Sequence, residues 1–265
     1  MTASLDTLVD APILAVESLS VRFGELVAVN DVSFVAERGH ITSVIGPNGA
    51  GKSTLFNLIS GAIKPTAGKI RFNGEDVTAR PPHDLARAGL SRSFQITNLF
   101  AELSVYENLR LAAQVLEPRS LLPLPTGKSE IALQRVDELI TRFSLEANAH
   151  ELAGALSHGQ QRRLEIAVAL ACRPKMLLLD EPTQGMSHGD TEETGALIKG
   201  LAGDLSILLV EHDVGLVMSL SDHVVVLNQG AKLSEGTPVQ VRADPAVQAA
   251  YFGSGHVNES KHARA

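Results

Sequence analysis

The sequence has one cysteine, no long apolar run and no excess of basic residues, and each of these absences excludes a class of protein. A single cysteine, Cys172, rules out an internal disulfide, and we interpret it as a small core residue. The net charge of −7 argues against nucleic-acid binding, which normally requires a basic face that neutralises phosphates. The composition, with 44% hydrophobic and 20% charged residues, is that of one large globular α/β domain.

No segment is predicted to cross a membrane or to act as an export signal. The longest apolar stretches, residues 176–179 and 207–210, are only as long as a strand and end at charged residues. The N-terminus contains Asp6 and Asp10 and lacks a basic segment followed by an apolar core. We therefore expect the protein to stay in the cytoplasm and to reach a membrane only through a partner.

Short strands and helices alternate over most of the chain, which is typical of a mainly parallel sheet covered on both faces. Residues 13–45 contain short apolar runs between polar turns, which predicts a β-rich entry that ends in a buried strand. Residues 82–171 have a mostly helical pattern with a proline-rich interruption at 118–125, which favours an inserted helical subdomain. The predicted strands are residues 40–45, 176–179, 206–210 and 223–227, and residues 71–76 are predicted to be a strand and a turn. The predicted helices are about 52–60, 161–172, 192–202 and 214–221. Residues 1–11 and about 254–265 are predicted to be tails.

A phosphate-binding loop is predicted between the first buried strand and its helix. Residues 46–53 read Gly-Pro-Asn-Gly-Ala-Gly-Lys-Ser and fit G-x-x-x-x-G-K-[ST] at every fixed position. Glycines let successive backbone N–H groups wrap around a phosphate, and the helix adds its positive N-terminal end. In this motif Lys52 reaches the β- and γ-phosphates and the Ser53 hydroxyl binds Mg²⁺. The motif predicts nucleotide binding but does not say which class of nucleotide protein this is.

Two carboxylates follow the apolar strand at 176–179. Ligands of a parallel sheet bind at the carboxyl ends of its strands, where the phosphate loop also lies. Asp180 is therefore predicted to hold Mg²⁺, directly or through water, and Glu181 to polarise the water that attacks the γ-phosphate. Neighbouring residues of a strand point to different faces, so the two carboxylates can have different roles.

The segment Leu156-Ser157-His158-Gly159-Gln160 identifies the family. It precedes a predicted helix, for which Ser157 is also a suitable N-cap, and lies between the phosphate loop and the acidic pair. It resembles the Leu-Ser-Gly-Gly-Gln signature of ABC transporter ATPases. The resemblance covers about residues 13–253, and it implies a P-loop NTPase fold, a RecA-like core sheet with an antiparallel β subdomain and an inserted helical subdomain at about 96–165. The chain would then be a single ABC ATPase domain at 12–253 between two tails.

The resemblance also implies a role for three further residues and completes the predicted site. Gln95 is similar to the glutamine that senses Mg²⁺ and water, His212 to the switch histidine on the γ-phosphate, and Phe23 to the aromatic residue that stacks on adenine. The implied nucleotide residues are Phe23, Gly46, Pro47, Asn48, Gly49, Ala50, Gly51, Lys52, Ser53, Thr54, Ser157, Gly159 and Gln160; the implied Mg²⁺ ligands are Ser53, Gln95 and Asp180; and the implied catalytic residues are Glu181, His212 and Gln95.

Two positions depart from the family pattern. His158 replaces the first glycine of the signature, which is tolerable if its side chain points away from the phosphate. Ser187 stands where many ABC proteins have an aspartate that takes part in communication between two sites. Neither change removes a group that hydrolysis needs.

In this family the signature loop serves the ATP bound to a second subunit, so the resemblance implies a head-to-tail dimer with an identical or paralogous chain. Residues 92–100, 103–109, 156–166, 182–187 and 250–253 are similar to the larger ATPase subunit of importers for branched-chain amino acids, which also carry related solutes such as amides and urea. Such a system adds two permeases and a solute-binding protein, and the ATPase would work at the cytoplasmic face of the membrane. Ile96, Leu99 and Phe100 could form either a groove for a permease or ordinary subdomain core.

Three alternatives remain open at this point. An ABC ATPase that exports lipid or lipopolysaccharide would share the same ATP chemistry. A non-transport ABC protein usually carries two ATPase domains or a long coiled-coil insertion, and this chain has neither. A small-molecule P-loop kinase would leave residues 156–160 and His212 without a role.

Overall fold

The structure is a computed structural model that describes residues 11–93, 99–116 and 130–252. It divides into two compact units, Met1–Leu85 with Ala202–Ala265 and Ala86–Leu201. The strands are β1 (Leu14–Phe23), β2 (Leu26–Ala36), β3 (Ile41–Ile45), β4 (Ala67–Phe72), β5 (Glu75–Asp76), β6 (Leu90–Arg92), β7 (Met176–Asp180), β8 (Ser206–Val210), β9 (His223–Asn228) and β10 (Ala231–Gly236). The helices are α1 (Lys52–Ile59), α2 (Pro82–Ala88), α3 (Val105–Ala113), α4 (Glu130–Arg142), α5 (His158–Leu170), α6 (His188–Leu201), α7 (Val214–Leu220), α8 (Pro238–Ala243) and α9 (Pro245–Phe252). None of the helices in the described ranges is long and apolar enough to cross a membrane.

The first unit contains an antiparallel sheet in the order β2-β1-β4-β5. Inward-facing residues such as Val16, Phe34 and Ile70 alternate with more exposed ones, which is the period of a sheet with one covered face. Gly68 lies where β4 passes close to β1, because a Cβ there would be only 2.3 Å from the carbonyl oxygen of Ser18. The β-rich entry predicted for residues 13–45 is confirmed by β1 and β2 of this sheet and by β3, which lies in the other sheet.

The same unit also contains strands in the order β10-β9-β3-β8. β3 is parallel to both β8 and β9, and β9 is antiparallel to β10. All five residues of β3 and of β8 are buried, as expected for strands covered on both faces. The helices α7, α8 and α9 contribute Val217, Val241 and Val247 to a buried cluster with Ile45 of β3. The parallel arrangement places the residues that follow β3 and β8 at one edge.

The second unit pairs β6 with β7 in parallel and is otherwise mostly helical. α3 packs against α4 and α5, and the buried face of α4 includes Val136, Leu139 and Ile140. Two helices of this unit, as far as the structure describes it, begin with a capping box, in which the side chains of the cap and of the third helical residue bond to each other's backbone: Ser104 with Glu107 on α3, and Ser157 with Gln160 on α5.

Several predicted boundaries differ from the structure. The prediction of a mostly helical pattern over 82–171 missed β6, because three residues are too few to show a period and its partner β7 lies far along the chain. α5 begins at His158, three residues before the predicted start, because Ser157 caps it directly. α6 begins at His188, four residues earlier than predicted. The proline-rich interruption, Gln95, Ile96 and nearly all of both predicted tails lie outside the described residues.

Candidate active site

The predicted phosphate loop connects the buried strand β3 to helix α1. Gly49 and Gly51 have φ angles of 78° and 98°, a region in which glycine is favoured. Gly51 is the N-cap of α1, and no side chain caps the helix and no acidic residue lies in its first turn. The first N–H groups of α1 therefore face outward as donors, together with the positive end of the helix dipole. This arrangement suits the binding of a phosphate.

Lys52 is held inside the loop by the loop's own carbonyl groups. Its Nζ donates to the carbonyl oxygen of Gly46 at 2.7 Å and to that of Pro47 at 3.1 Å. Lys52 is only 8% exposed, whereas Ser53 is exposed and Thr54 is half-buried. Because these carbonyls turn towards the ammonium group, the loop presents a positive charge at the place where phosphate oxygens would bind.

The loop also lies directly against neighbouring backbone. A Cβ at Gly51 would be 2.6 Å from the carbonyl oxygen of Ala28 on β2. The N–H of Gly230, in the turn between β9 and β10, donates to the carbonyl of Ala50 at 3.1 Å. The position of the loop is therefore set by contacts with strand β2 and with the turn between β9 and β10.

His212 follows β8, at the same edge of the sheet as Gly46. Val44 of β3 is opposite Val210 of β8, so the two strands end side by side. The His212 backbone N–H donates to the carboxylate of Glu211 at 3.1 Å, and Glu211 is fully buried. The His212 ring remains 59% exposed. Within the first unit, this edge therefore brings together residues 46–54 and His212, while Phe23 ends β1 with half of its surface exposed.

Asp180, in the second unit, is buried at the end of β7. Its Oδ2 accepts a hydrogen bond from Arg92 Nη2 at 2.9 Å, and the two side chains are 2% and 14% exposed. Among the described residues no donor is within hydrogen-bond distance of Asp180 Oδ1, although this atom is also buried. A buried carboxylate oxygen without a donor is rare, and it suits a bound metal ion.

Glu181 follows Asp180 with a φ angle of 47°, which is unusual for a residue other than glycine. The chain leaves β7 at this point, and the Glu181 side chain is half-buried. Its carbonyl oxygen accepts a hydrogen bond from Arg162 of α5 at 3.1 Å. Neither Arg92 nor Arg162 was predicted to contact the site residues. An arginine with a glutamate three residues later inside a helix, Arg162 with Glu165, was the available signal for the second.

The signature-like segment forms the N-terminus of α5. The exposed Ser157 accepts from the Gln160 N–H at 3.3 Å, and the Gln160 side chain accepts from the Ser157 N–H at 2.9 Å. A Cβ at Gly159 would be 2.9 Å from the Asp190 carboxylate, so this position leaves little room for a side chain. His158 Nε2 lies 3.4 Å from the Gln184 carbonyl, and its ring therefore points to the loop after β7.

Ser187, the second departure, is held by the first turn of α6. Its hydroxyl donates to the Asp190 carboxylate at 2.6 Å and accepts from the Asp190 N–H at 3.3 Å. The second unit thus contains Ser157, Gly159, Gln160, Asp180 and Glu181 of the predicted site.

The comparisons with known proteins assign the family. Residues 29–184 match the family described as ABC transporter, and residues 231–257 match branched-chain amino acid ATP-binding cassette transporter. The chain belongs to the ABC transporter family. It is an ABC ATPase and binds nucleotide, as the sequence predicted.

Similar ABC proteins cover nearly the whole chain. The chain is 43% identical to the high-affinity branched-chain amino acid transport ATP-binding protein BraF of Pseudomonas aeruginosa over 91% of its length and 98% of BraF. It is 42% identical to LivG of Escherichia coli, a protein of the same description, over 91% of the chain and 98% of LivG. It is 36% identical to the lipopolysaccharide export system ATP-binding protein LptB of Haemophilus influenzae, over 91% of the chain and 97% of LptB.

Solved structures confirm the predicted fold of this ABC ATPase. A nucleotide-free ATP-binding cassette from an ABC transporter matches 91% of the chain and 99% of its own length, with a TM-score of 0.80 and 31% identity. A dimeric ATP-binding cassette in a post-hydrolysis state, bound to ADP and phosphate, matches 85% of the chain and 98% of its own length, with a TM-score of 0.72 and 26% identity.

Proposed function

We propose that this ABC ATPase powers an importer of branched-chain amino acids or a related small polar solute. The observation that carries the proposal is the 43% identity to BraF over nearly the full length of both chains. The separate match of residues 231–257 to the branched-chain transporter family supports it at the C-terminus, outside the common ABC segment. In such a system the chain would work with two permeases and a solute-binding protein, at the cytoplasmic face of the membrane. We also propose that residues 12–253 form one ABC ATPase domain, with its helical subdomain at about 96–165.

Each residue of the proposed hydrolytic site would have a distinct role. Residues 46–54 would hold the phosphates, Phe23 would stack on adenine, and the Lys52 ammonium would meet the β- and γ-phosphates. Asp180, Ser53 and Gln95 would hold Mg²⁺, which would neutralise phosphate charge. Asp180 Oδ1 is buried and has no hydrogen-bond partner among the described residues, which supports Asp180 as a ligand.

For hydrolysis, Glu181 would accept a proton from the attacking water. As the water oxygen bonds to the γ-phosphorus, the bond to the ADP oxygen breaks and leaves ADP and phosphate. His212, exposed at the edge of the sheet beside the loop, would contact the γ-phosphate and hold the water in place.

We further propose that two ATPase subunits complete each other's sites. Ser157, Gly159 and Gln160 would contact the γ-phosphate bound by the second subunit, whose own signature would serve this chain. The exposed N-terminus of α5 supports this, because the N–H groups there can meet an anion from outside. ATP would then favour the closed dimer over ADP, since only ATP supplies the bridging phosphate.

The variant Glu181→Gln tests the hydrolytic site. It removes the proton acceptor but keeps the size of the side chain, so we expect ATP to bind and a stable dimer to accumulate in size-exclusion chromatography with Mg-ATP. Glu75→Gln is the matched control, because Glu75 lies on β5 in an exposed ion pair and should behave as the wild type. A Glu181→Gln chain that stays monomeric and hydrolyses ATP at the normal rate would contradict the site.

A second function, powering lipopolysaccharide export, is favoured by the 36% identity to LptB. Deletion of the gene in its host distinguishes the importer from the exporter. Reduced uptake of labelled leucine, restored by the wild-type chain but not by Glu181→Gln, supports the importer. Normal leucine uptake together with depleted lipopolysaccharide at the cell surface would replace the importer with the exporter.

A further inference from the structure

Arg162 of α5 binds the backbone of the segment that carries Glu181. Its Nη2 donates to the carbonyl oxygens of Asp180 at 2.9 Å and of Glu181 at 3.1 Å, and its Nε donates to that of Pro182 at 3.0 Å. Three consecutive carbonyls therefore converge on one guanidinium group. Only arginine offers a planar fork of donors that can meet them together, whereas the lysine ammonium group is a compact charge on a flexible stem.

The guanidinium group is itself fixed from the other side. Arg162 Nη1 donates to the Glu165 carboxylate at 2.6 Å, and the two side chains are 10% and 9% exposed. The pair lies three residues apart on α5, so the helix sets its geometry. A buried arginine that is paired in this way has a fixed position on α5. The position of the loop after β7 is therefore set by Arg162, and not the reverse.

The Glu181 backbone needs such support. Its φ of 47° lies in the left-handed region, which is sterically unfavourable for a residue with a side chain. Such a conformation persists when surrounding contacts over-determine it, and it is common at functional sites. The hydrogen bonds from Arg162 on both sides of this residue supply that constraint. A general base must lie within hydrogen-bond reach of its water, so a small relaxation of this turn would misplace the carboxylate.

The same helix begins at the signature. Ser157 caps α5, and Arg162 lies one turn further along. A short α-helix moves as a rigid body, so a displacement of its N-terminus by a second subunit's nucleotide carries Arg162 with it. We propose that Arg162 is a positioning residue that places Glu181 and couples it to the signature end of α5. This inference rests on the proposed role of Glu181 as the proton acceptor.

The test is the steady-state ATPase activity of the full chain carrying Arg162→Lys. Losing the fork should lower kcat roughly 10- to 100-fold, as a misplaced catalytic group does, while KM, Mg-ATP affinity and melting temperature stay near the wild type. The matched control is Arg163→Lys, because within the described part of the chain the charged group of the neighbouring Arg163 makes a loose ion pair of 3.6 Å with the exposed Glu193. The control should keep the wild-type kcat.

The double variant Arg162→Gln/Glu165→Gln controls for the possibility that Arg162→Lys loses activity through misfolding. It removes the fork without leaving a buried charge unpaired, so the fold should persist and kcat should fall by the same factor. A wild-type kcat in either variant would overturn the inference. Equal losses of kcat, nucleotide affinity and melting temperature would also overturn it, because they would show a role in stability alone.

The coupling to the signature is tested by combining Arg162→Lys with Ser157→Ala. If the signature acts on Glu181 through Arg162, the two losses in kcat are less than multiplicative, and fully multiplicative losses would overturn the coupling. A wild-type chain that neither binds nor hydrolyses Mg-ATP would instead refute the proposed function itself. A wild-type chain that hydrolyses ATP beside an equally active Arg162→Lys variant refutes only the inference.

Discussion

Gly51 provides a sharp test of how tightly the phosphate loop is packed. Replacing it with alanine adds a Cβ that would be 2.6 Å from the carbonyl oxygen of Ala28, a separation that real Cβ atoms essentially never show. The nearest atoms beyond it are the Gly230 Cα at 3.4 Å and the Val29 Cγ2 at 3.6 Å. The contact is with backbone, so the loop or strand β2 must move. The φ of 98° adds strain for any residue with a side chain.

The expected loss of stability in Gly51→Ala has two parts. A residue with a side chain in the left-handed region costs about 1–2 kcal/mol, and overpacking a tight contact costs typically about 1–3 kcal/mol. Gly49 separates the two contributions, because it has a φ of 78° but no atom of the described residues would be within 4 Å of a Cβ there. We therefore expect Gly51→Ala to be less stable than Gly49→Ala by roughly the overpacking part, about 1–3 kcal/mol.

Thermal unfolding without nucleotide measures the difference. A loss of 1 kcal/mol lowers Tm by about 2–4 °C in a domain near this size, so Gly51→Ala should melt roughly 2–12 °C below Gly49→Ala. Nucleotide is left out because a bound ligand stabilises the native state and would mix the two effects. If Gly51→Ala melts at or above the temperature of Gly49→Ala, the close approach to β2 does not limit the loop, and the reasoning is wrong.

Three further predictions concern a helix cap, the loop lysine and a half-buried tyrosine. Ser157→Ala and Ser104→Ala each remove a capping box and should each cost about 1 kcal/mol in urea unfolding, but only the first should weaken the ATP-dependent dimer in size-exclusion chromatography. Lys52→Ala should lower ATP affinity at least roughly 10-fold in calorimetry, because it removes a charge-assisted contact with phosphate, whereas the exposed Lys69→Ala should not. Burial raises the pKa of Tyr251 from its ordinary value of 10 to about 12. The unfolded chain therefore ionises first as the pH rises, and stability should fall between these two pKa values, less steeply in Tyr251→Phe.

The sequence by itself was sufficient to predict the glycine-rich turn between β3 and α1 and the buried strands β3, β7, β8 and β9. Residues 46–53 are contiguous, and their glycines and lysine have to follow one another for the loop to form, so the local pattern carries the whole feature. β8 was predicted with its observed bounds, because four of its five buried residues, 207–210, form an uninterrupted apolar run. The family assignment also followed from short segments such as 156–160, and the comparisons confirmed it.

Only the tertiary structure showed which groups contact Asp180, Glu181 and Gly51. Arg92 and Asp180 are 88 residues apart, and their pairing follows from the parallel register of β6 and β7, which no local pattern encodes. The three carbonyls bound by Arg162, and the carbonyl of Ala28 behind Gly51, are backbone atoms that every residue possesses. A sequence lists side chains in order. It does not state which backbone groups will converge on one of them, because that depends on how distant segments pack.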